Sequence, residues 1–176
     1  MVKISFKAIA AAFVASVLLA GPAVASGKGA PEINKVVRVQ GTIVDVAVSN
    51  PAFSTLVTAL DKAKLVDVLK GPGPFTVYAP TNDAFGKIPA DVLDDLLADP
   101  AGALTEVLLY HVTPGKQDLR FAYLTRDLRT LQDQEVFAER ERNTLFINNS
   151  RVLGSAIVTD NGVIYVIDSV LLPQYR

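Results

Sequence analysis

The chain has 176 residues, half of them hydrophobic, and a formal charge of −1. That length suits one domain of about 100–200 residues, and the near-neutral balance leaves no basic footprint for nucleic acid. The absence of cysteine excludes disulfides, thiolate catalysis and cysteine metal sites.

Residues 1–25 read as a signal peptide. Lys3 and Lys7 form a positive start, Ala8 to Ala20 is an uncharged apolar run, and Ala23-Val24-Ala25 fits the small-x-small cleavage pattern. The run is shorter than the roughly 20 apolar residues of a membrane span. No cysteine follows it, so a lipoprotein signal is not expected, and no later stretch is apolar enough to span a bilayer. Gln174-Tyr175-Arg176 lacks the hydrophobic tail of a GPI signal. The expected product is secreted, periplasmic or extracellular, with no transmembrane segment after cleavage. N-terminal sequencing of the exported protein should begin at Ser26; a chain still starting at Met1 would overturn this reading. Loss of Lys3 and Lys7 takes the formal charge from −1 to −3.

Residues 26–36 are small, polar and contain Gly and Pro, and are expected to be a flexible lead-in to a domain over 37–174. Thr42 is placed to cap a helix carrying Ile43, Val44 and Ala47, which Ser49-Asn50-Pro51 breaks. Phe53, Leu56, Val57 and Leu60 follow the spacing of one helical face, and Leu65, Val66 and Leu69 add another turn. Gly71-Pro72-Gly73-Pro74 is a turn cluster, without the Gly-Lys-Ser/Thr of a phosphate loop. Phe75 to Ala79 reads as a buried strand that Pro80 stops. Thr81 or Asn82 then caps a new helix, with Asp83 near its positive end, and Ala84 and Phe85 turn back onto the core.

Ile88-Pro89 and Asp91 start a further helix with Val92, Leu93, Leu96 and Leu97 on its apolar side, and Asp99-Pro100 ends it. Leu104, Val107 and Leu108 mark a helix leading into Tyr110-His111. Leu119 to Arg129 follows no clear pattern. After about Asp127 short strands take over. Val136, Ala138 and Arg140 alternate with Phe137, Glu139 and Glu141. Thr144–Ile147 and Arg151–Val158 flank the turn Asn148-Asn149-Ser150. Asp160-Asn161-Gly162 is a second turn before the nearly continuous apolar strand Val163–Ile167. Helices first and strands later predict an α+β fold.

Chemistry-bearing candidates are few. His111 is the single histidine, so a Ser-His-Asp enzyme would have to use it, yet no G-x-S-x-G elbow is present. The alternative is a buried His with its ring nitrogens bonded to neighbouring polar groups, Asn82 and Asp83 being the natural candidates. On that reading His111→Ala costs about 1–3 kcal/mol. Asp91, Asp94, Asp95 and Asp99 lack the spacing of a calcium loop and read as a solvated helix face. Arg120, Arg126, Arg129, Arg140, Arg142 and Arg151 are interleaved with Asp127, Asp133, Glu135, Glu139 and Glu141, giving a mixed surface rather than a basic patch. Asn148-Asn149-Ser150 matches a glycosylation pattern that matters only in a eukaryotic host.

Three segments carry a family resemblance. Phe75-Thr76-Val77-Tyr78-Ala79-Pro80-Thr81-Asn82-Asp83-Ala84-Phe85 resembles the first signature of the fasciclin (FAS1) domain. Leu108 to Lys116, with Tyr110-His111, is similar to the family's Tyr-His segment, and Asn161 to Pro173 to its closing signature. The resemblance implies a small β-sandwich with a layer of helices from the N-terminal half, in which the early strand joins strands from the far end of the chain. It implies a non-catalytic adhesion or matrix-interaction module with no cofactor and no metal, binding a cell-surface or matrix protein or polysaccharide. The family-motif residues are Thr81, Asn82, Asp83, Tyr110, His111 and Asp168, structural in character. Tyr110 and His111 also match the pair implicated in integrin-dependent adhesion in animal relatives. The other function considered is a periplasmic binder or carrier of a small apolar or sugar-like ligand. That requires an enclosed apolar pocket of roughly 300–1,000 Å³, whereas Phe75, Val77, Phe85, Leu108, Val163, Ile164 and Val166 are expected to fill the core.

Overall fold

The computed structural model describes residues 36–119, 128–142 and 144–173. Residues 1–25, read as a signal peptide, and nearly all of the expected lead-in lie outside the described residues, as do Arg120, Tyr123, Arg126 and Asp127 of the unpatterned segment.

The helical half begins after a short strand, β1 (Val36–Arg38). Thr42 and Asp45 form a reciprocal cap at the start of α1 (Ile43–Ser49): the Thr42 hydroxyl accepts from Asp45 N–H, and the Asp45 carboxylate accepts from Thr42 N–H at 2.8 Å. The bond from Thr42 N–H, and after it the one that the Thr42 hydroxyl donates to the same carboxylate at 2.7 Å, hold the Asp45 carboxyl below its usual range. Asn50 ends α1, and its side chain caps the 3₁₀ turn Pro51–Phe53. The chain continues into α2 (Ser54–Lys62) and α3 (Val66–Lys70). Ile43, Val44, Phe53, Leu56, Leu60 and Leu69, the positions picked out by helical spacing, are buried in one core.

Strand β2 (Phe75–Pro80) is central. It pairs antiparallel with β3 (Val112–Pro114) and in parallel with β9 (Gly162–Ile167), so the two ends of the chain meet in one sheet. Both strands are covered on both faces, which is why they read as apolar runs. Val77, Ala79, Ile164 and Val166 face the helices. Tyr78, Val163, Tyr165 and Ile167 face a second core. β2 runs one residue beyond the expected stop: Pro80 still pairs with Ile167, as the terminal residue where a missing N–H is tolerated.

Between β2 and β3 lie α4 (Asn82–Phe85), α5 (Ala90–Ala98) and α6 (Ala103–Tyr110). The later strands are β4 (Leu128–Arg129), β5 (Glu135–Val136), β6 (Ala138–Glu141), β7 (Thr144–Ile147) and β8 (Ser150–Val158). The main sheet has the order β3-β2-β9-β8-β7-β6, with β1 parallel to the end of β8, and β4-β5 form a separate ribbon. β8 slips register between Leu153 and Ile157, with Gly154 at φ +66°, and the sheet curls there. Side chains from β2, β5, β6, β7, β8 and β9 therefore enclose the second core between them. The result is the α+β arrangement expected, with helices on one face of a curled mixed sheet.

Candidate functional site

The motif residues are placed by the junctions they close. Thr81 caps α4, its hydroxyl accepting from Ala84 N–H at 3.3 Å. Asn82, at the first turn of α4, reaches back to α2. Its carbonyl accepts from Thr55 N–H at 3.0 Å, and its amide donates to the Pro51 carbonyl at 2.9 Å. Asp83 stays exposed in that first turn. Asp168, just past β9, accepts from Arg151 N–H at 3.0 Å and lies 3.5 Å from Lys87 Nζ. Lys87 also donates to the Asp168 carbonyl at 2.6 Å.

Tyr110 and His111 end α6 and are 3% and 2% exposed. The Tyr110 hydroxyl donates to the Glu135 carbonyl at 3.1 Å and accepts from the Asn148 amide at 3.0 Å. Asn148 sits at φ +51° in the β7–β8 turn, and its side-chain oxygen accepts from Phe137 N–H at 2.8 Å. Both ends of its amide are thus engaged, the nitrogen with Tyr110 of α6 and the oxygen with Phe137 between β5 and β6, and a glycan there would displace them.

The expected partners of His111, Asn82 and Asp83, are corrected by the structure. Nδ1 lies 2.7 Å from the Val107 carbonyl, and Nε2 accepts from Leu171 N–H at 2.9 Å. That pairing fixes the neutral tautomer with the proton on Nδ1. His111 N–H turns to Leu108 O, so the ring replaces the donor that Val107 O would otherwise lack at the helix end. Sequence reasoning looked for side-chain partners because a polar motif lay nearby. The helix end and the incoming C-terminal segment, both rich in backbone groups, compete better at this depth. Burial holds the imidazole pKa down to about 4, with the Val107 carbonyl opposing.

Two residues outside the earlier selection also bind elements together. Asn161 was read as a turn residue and as the start of the closing signature. Its carbonyl accepts from Ile43 N–H at 2.9 Å, and its amide donates to Leu69 O at 2.8 Å and Gly71 O at 3.1 Å. It thereby fastens α1 and α3 to the start of β9. Asn161→Ala should cost about 2–3 kcal/mol, because three partly buried backbone groups lose partners; a chemical melt within 1 kcal/mol of wild type would contradict this. Leu119, in the unpatterned segment, is buried, and its N–H donates to the Tyr165 hydroxyl at 3.0 Å. Nothing in the sequence around Leu119 signalled this, since the tie is to a side chain on a distant strand.

Of the exposed candidates, Asp91, Asp94, Asp95 and Asp99 are at the surface of or just beyond α5. Asp99 in addition caps α6, accepting from Gly102 and Ala103 N–H at 3.0 and 3.1 Å. Arg129 pairs with Asp133 at 3.1 Å, in keeping with a surface of mixed sign.

Two of the concavities among the described residues border the Tyr110-His111 pair. One is an open groove of about 890 Å³ beside Tyr110, bordered by Arg129, Asp133, Glu135, Asn148 and the exposed Phe137 and Leu172. The other departs from the filled core expected. A largely apolar, partly open cavity of about 270 Å³ lies among α2, α4, α5 and α6. α5 lies along it, with Leu93, Leu96 and Leu97 partly buried and bordering the space.

The chain was compared with known proteins. The family model for the Fasciclin domain matches residues 51–173. Protein sll1483 of Synechocystis sp. is 40% identical over 133 residues, covering 75% of this chain and 73% of that protein. Immunogenic protein MPB70 of Mycobacterium bovis is 37% identical over 139 residues, covering 76% of this chain and 70% of its own. Cell surface glycolipoprotein MPB83 of the same species is 37% identical, at 76% and 61% coverage. Among solved structures, a FAS1 domain pair from the insect cell adhesion molecule Fasciclin I matches with a TM-score of 0.62 at 20% identity. The match covers 75% of this chain and about half, 51%, of that one, and shows a shared fold. The chain belongs to the fasciclin (FAS1) domain family.

Proposed function

We propose that this protein is an exported, non-catalytic interaction domain that binds a protein or polysaccharide of a cell surface or extracellular matrix. The observation that carries the reading is the employment of the motif residues. His111 is buried with both ring nitrogens bonded to backbone, and Asn82, Tyr110 and Asp168 likewise join one element to another. Such residues hold a scaffold and present no reacting group to a substrate. The mycobacterial relative named for the cell surface points the same way.

The contact surface in this reading is the groove beside Tyr110, with Phe137 and Leu172 (48% and 47% exposed) as apolar anchors and Arg129, Asp133 and Glu139 around them. An apolar centre with a charged rim is the usual composition of a binding patch. Tyr110 and His111 themselves are too deep to touch a partner; they set the position of the groove wall. The test is retention of envelope components and immobilised glycans by the purified mature chain, compared with Phe137→Ser/Leu172→Ser. The double variant should lose at least about tenfold in affinity, in line with the truncation of two interface anchors. Unchanged retention, or chemical turnover of the retained partner, would overturn the proposal.

A further inference from the structure

We propose that the cavity among α2, α4, α5 and α6 binds a medium-chain carboxylate, with its hydrocarbon tail inside and its carboxylate at Lys62. This site is separate from the groove beside Tyr110, and neither proposal depends on the other.

The walls differ in chemistry. α5 and α6 contribute Leu93, Leu96, Leu97, Leu104, Val107 and Leu108. α2 contributes Ser54, Thr58 and Lys62, which are spaced four residues apart and so form one stripe along that helix. Lys62 is exposed, so it belongs to the open side. Among the described residues bordering the cavity it alone is charged, and no carboxylate borders it. One end of the space is therefore suited to an anion and the rest to hydrocarbon.

Size narrows the ligand. An apolar cavity of about 150 Å³ holds benzene. On that scale about 270 Å³ accommodates roughly ten carbons. A sugar would leave its hydroxyls unpaired against the leucines of α5, a loss that apolar walls do not repay. A linear acyl chain satisfies both walls. It would also add apolar contacts to Leu93, Leu96 and Leu97, which are only partly buried.

The probe is decanoate, at concentrations below micelle formation, titrated into the mature chain. The readouts are calorimetry and the amide NMR spectrum, with decanol as the uncharged comparison. Saturable one-to-one binding is expected, with shifts concentrated on α2, α5 and α6 and a raised Tm. Lys62→Glu changes an exposed side chain and should leave the fold intact. It should weaken decanoate by about fivefold or more, from reversing a surface ion pair, and leave decanol nearly unchanged. Leu97→Trp, which fills the space, should abolish binding of both. Absence of saturable decanoate binding overturns the proposal. So does decanoate affinity that Lys62→Glu leaves unaltered, or shifts that map to the groove beside Phe137.

Discussion

His111→Ala should lower the free energy of unfolding by about 4 kcal/mol at pH 7.5, measured by urea titration. The sequence alone suggested less, about 1–3 kcal/mol, from a small void and lost bonds to Asn82 and Asp83. The structure names the losses. The Val107 carbonyl at the end of α6 and the Leu171 N–H each lose their bond to the imidazole, and a buried group left unpaired costs about 1–3 kcal/mol. The void adds to this, as His111 is 2% exposed. Leu171 is itself buried in the second core, so the variant also loosens the C-terminal segment. A loss below about 1 kcal/mol would mean that water replaces the ring at both groups.

The same site makes stability depend on pH. Burial disfavours the cation and holds the folded-state imidazole pKa down to about 4, below its ordinary value of 6.5. Between those values the unfolded chain binds the proton and the folded one does not. The contribution is therefore fully present above pH 6.5 and is lost as pH falls from there towards 4, by about 3 kcal/mol in all. Other groups also titrate, so the informative quantity is the difference between wild type and His111→Ala. That gap should narrow steadily between pH 7 and pH 4. A constant gap would show that the folded imidazole takes up its proton at the same pH as the unfolded one.

Gly162→Ala should be comparably damaging, at about 3 kcal/mol or more, with the protein poorly folded at 37 °C. Gly162 opens β9 and pairs with Phe75 at the start of β2. A Cβ there would overlap the Phe75 carbonyl oxygen and come within 2.6 Å of Ile43 Cδ1. The carbonyl is held by the parallel ladder and Ile43 by the packing of α1, so neither yields without moving an element. Overpacking of this kind costs about 1–3 kcal/mol when side chains alone adjust, and more when the backbone must. A stability within 1 kcal/mol of wild type would show that the β2–β9 register shifts to make room.

How much of this was legible beforehand follows from the range of the interactions. The cap of α1 at Thr42, the face of α2, the strand from Phe75 and the turns at Asn148 and Asn161 all rest on contacts within a few residues. Side-chain spacing and turn chemistry report such contacts directly. The central position of β2 was legible only through the family resemblance. Its partner strand lies at the other end of the chain, and no local pattern encodes that pairing.

The sequence by itself determined the faces of the early helices, the strands from Phe75 and Val163 and the turns at Asn148 and Asn161, because these depend on residue type and period. The tertiary structure decided who bonds to whom. It gave His111 two backbone partners instead of Asn82 and Asp83, and made Asn161 a clasp for two helices. It also left a cavity under α5 where a filled core was expected. In each case the outcome depends on which distant backbone group or helix end is brought within about 3 Å, a distance set only when the whole chain has packed.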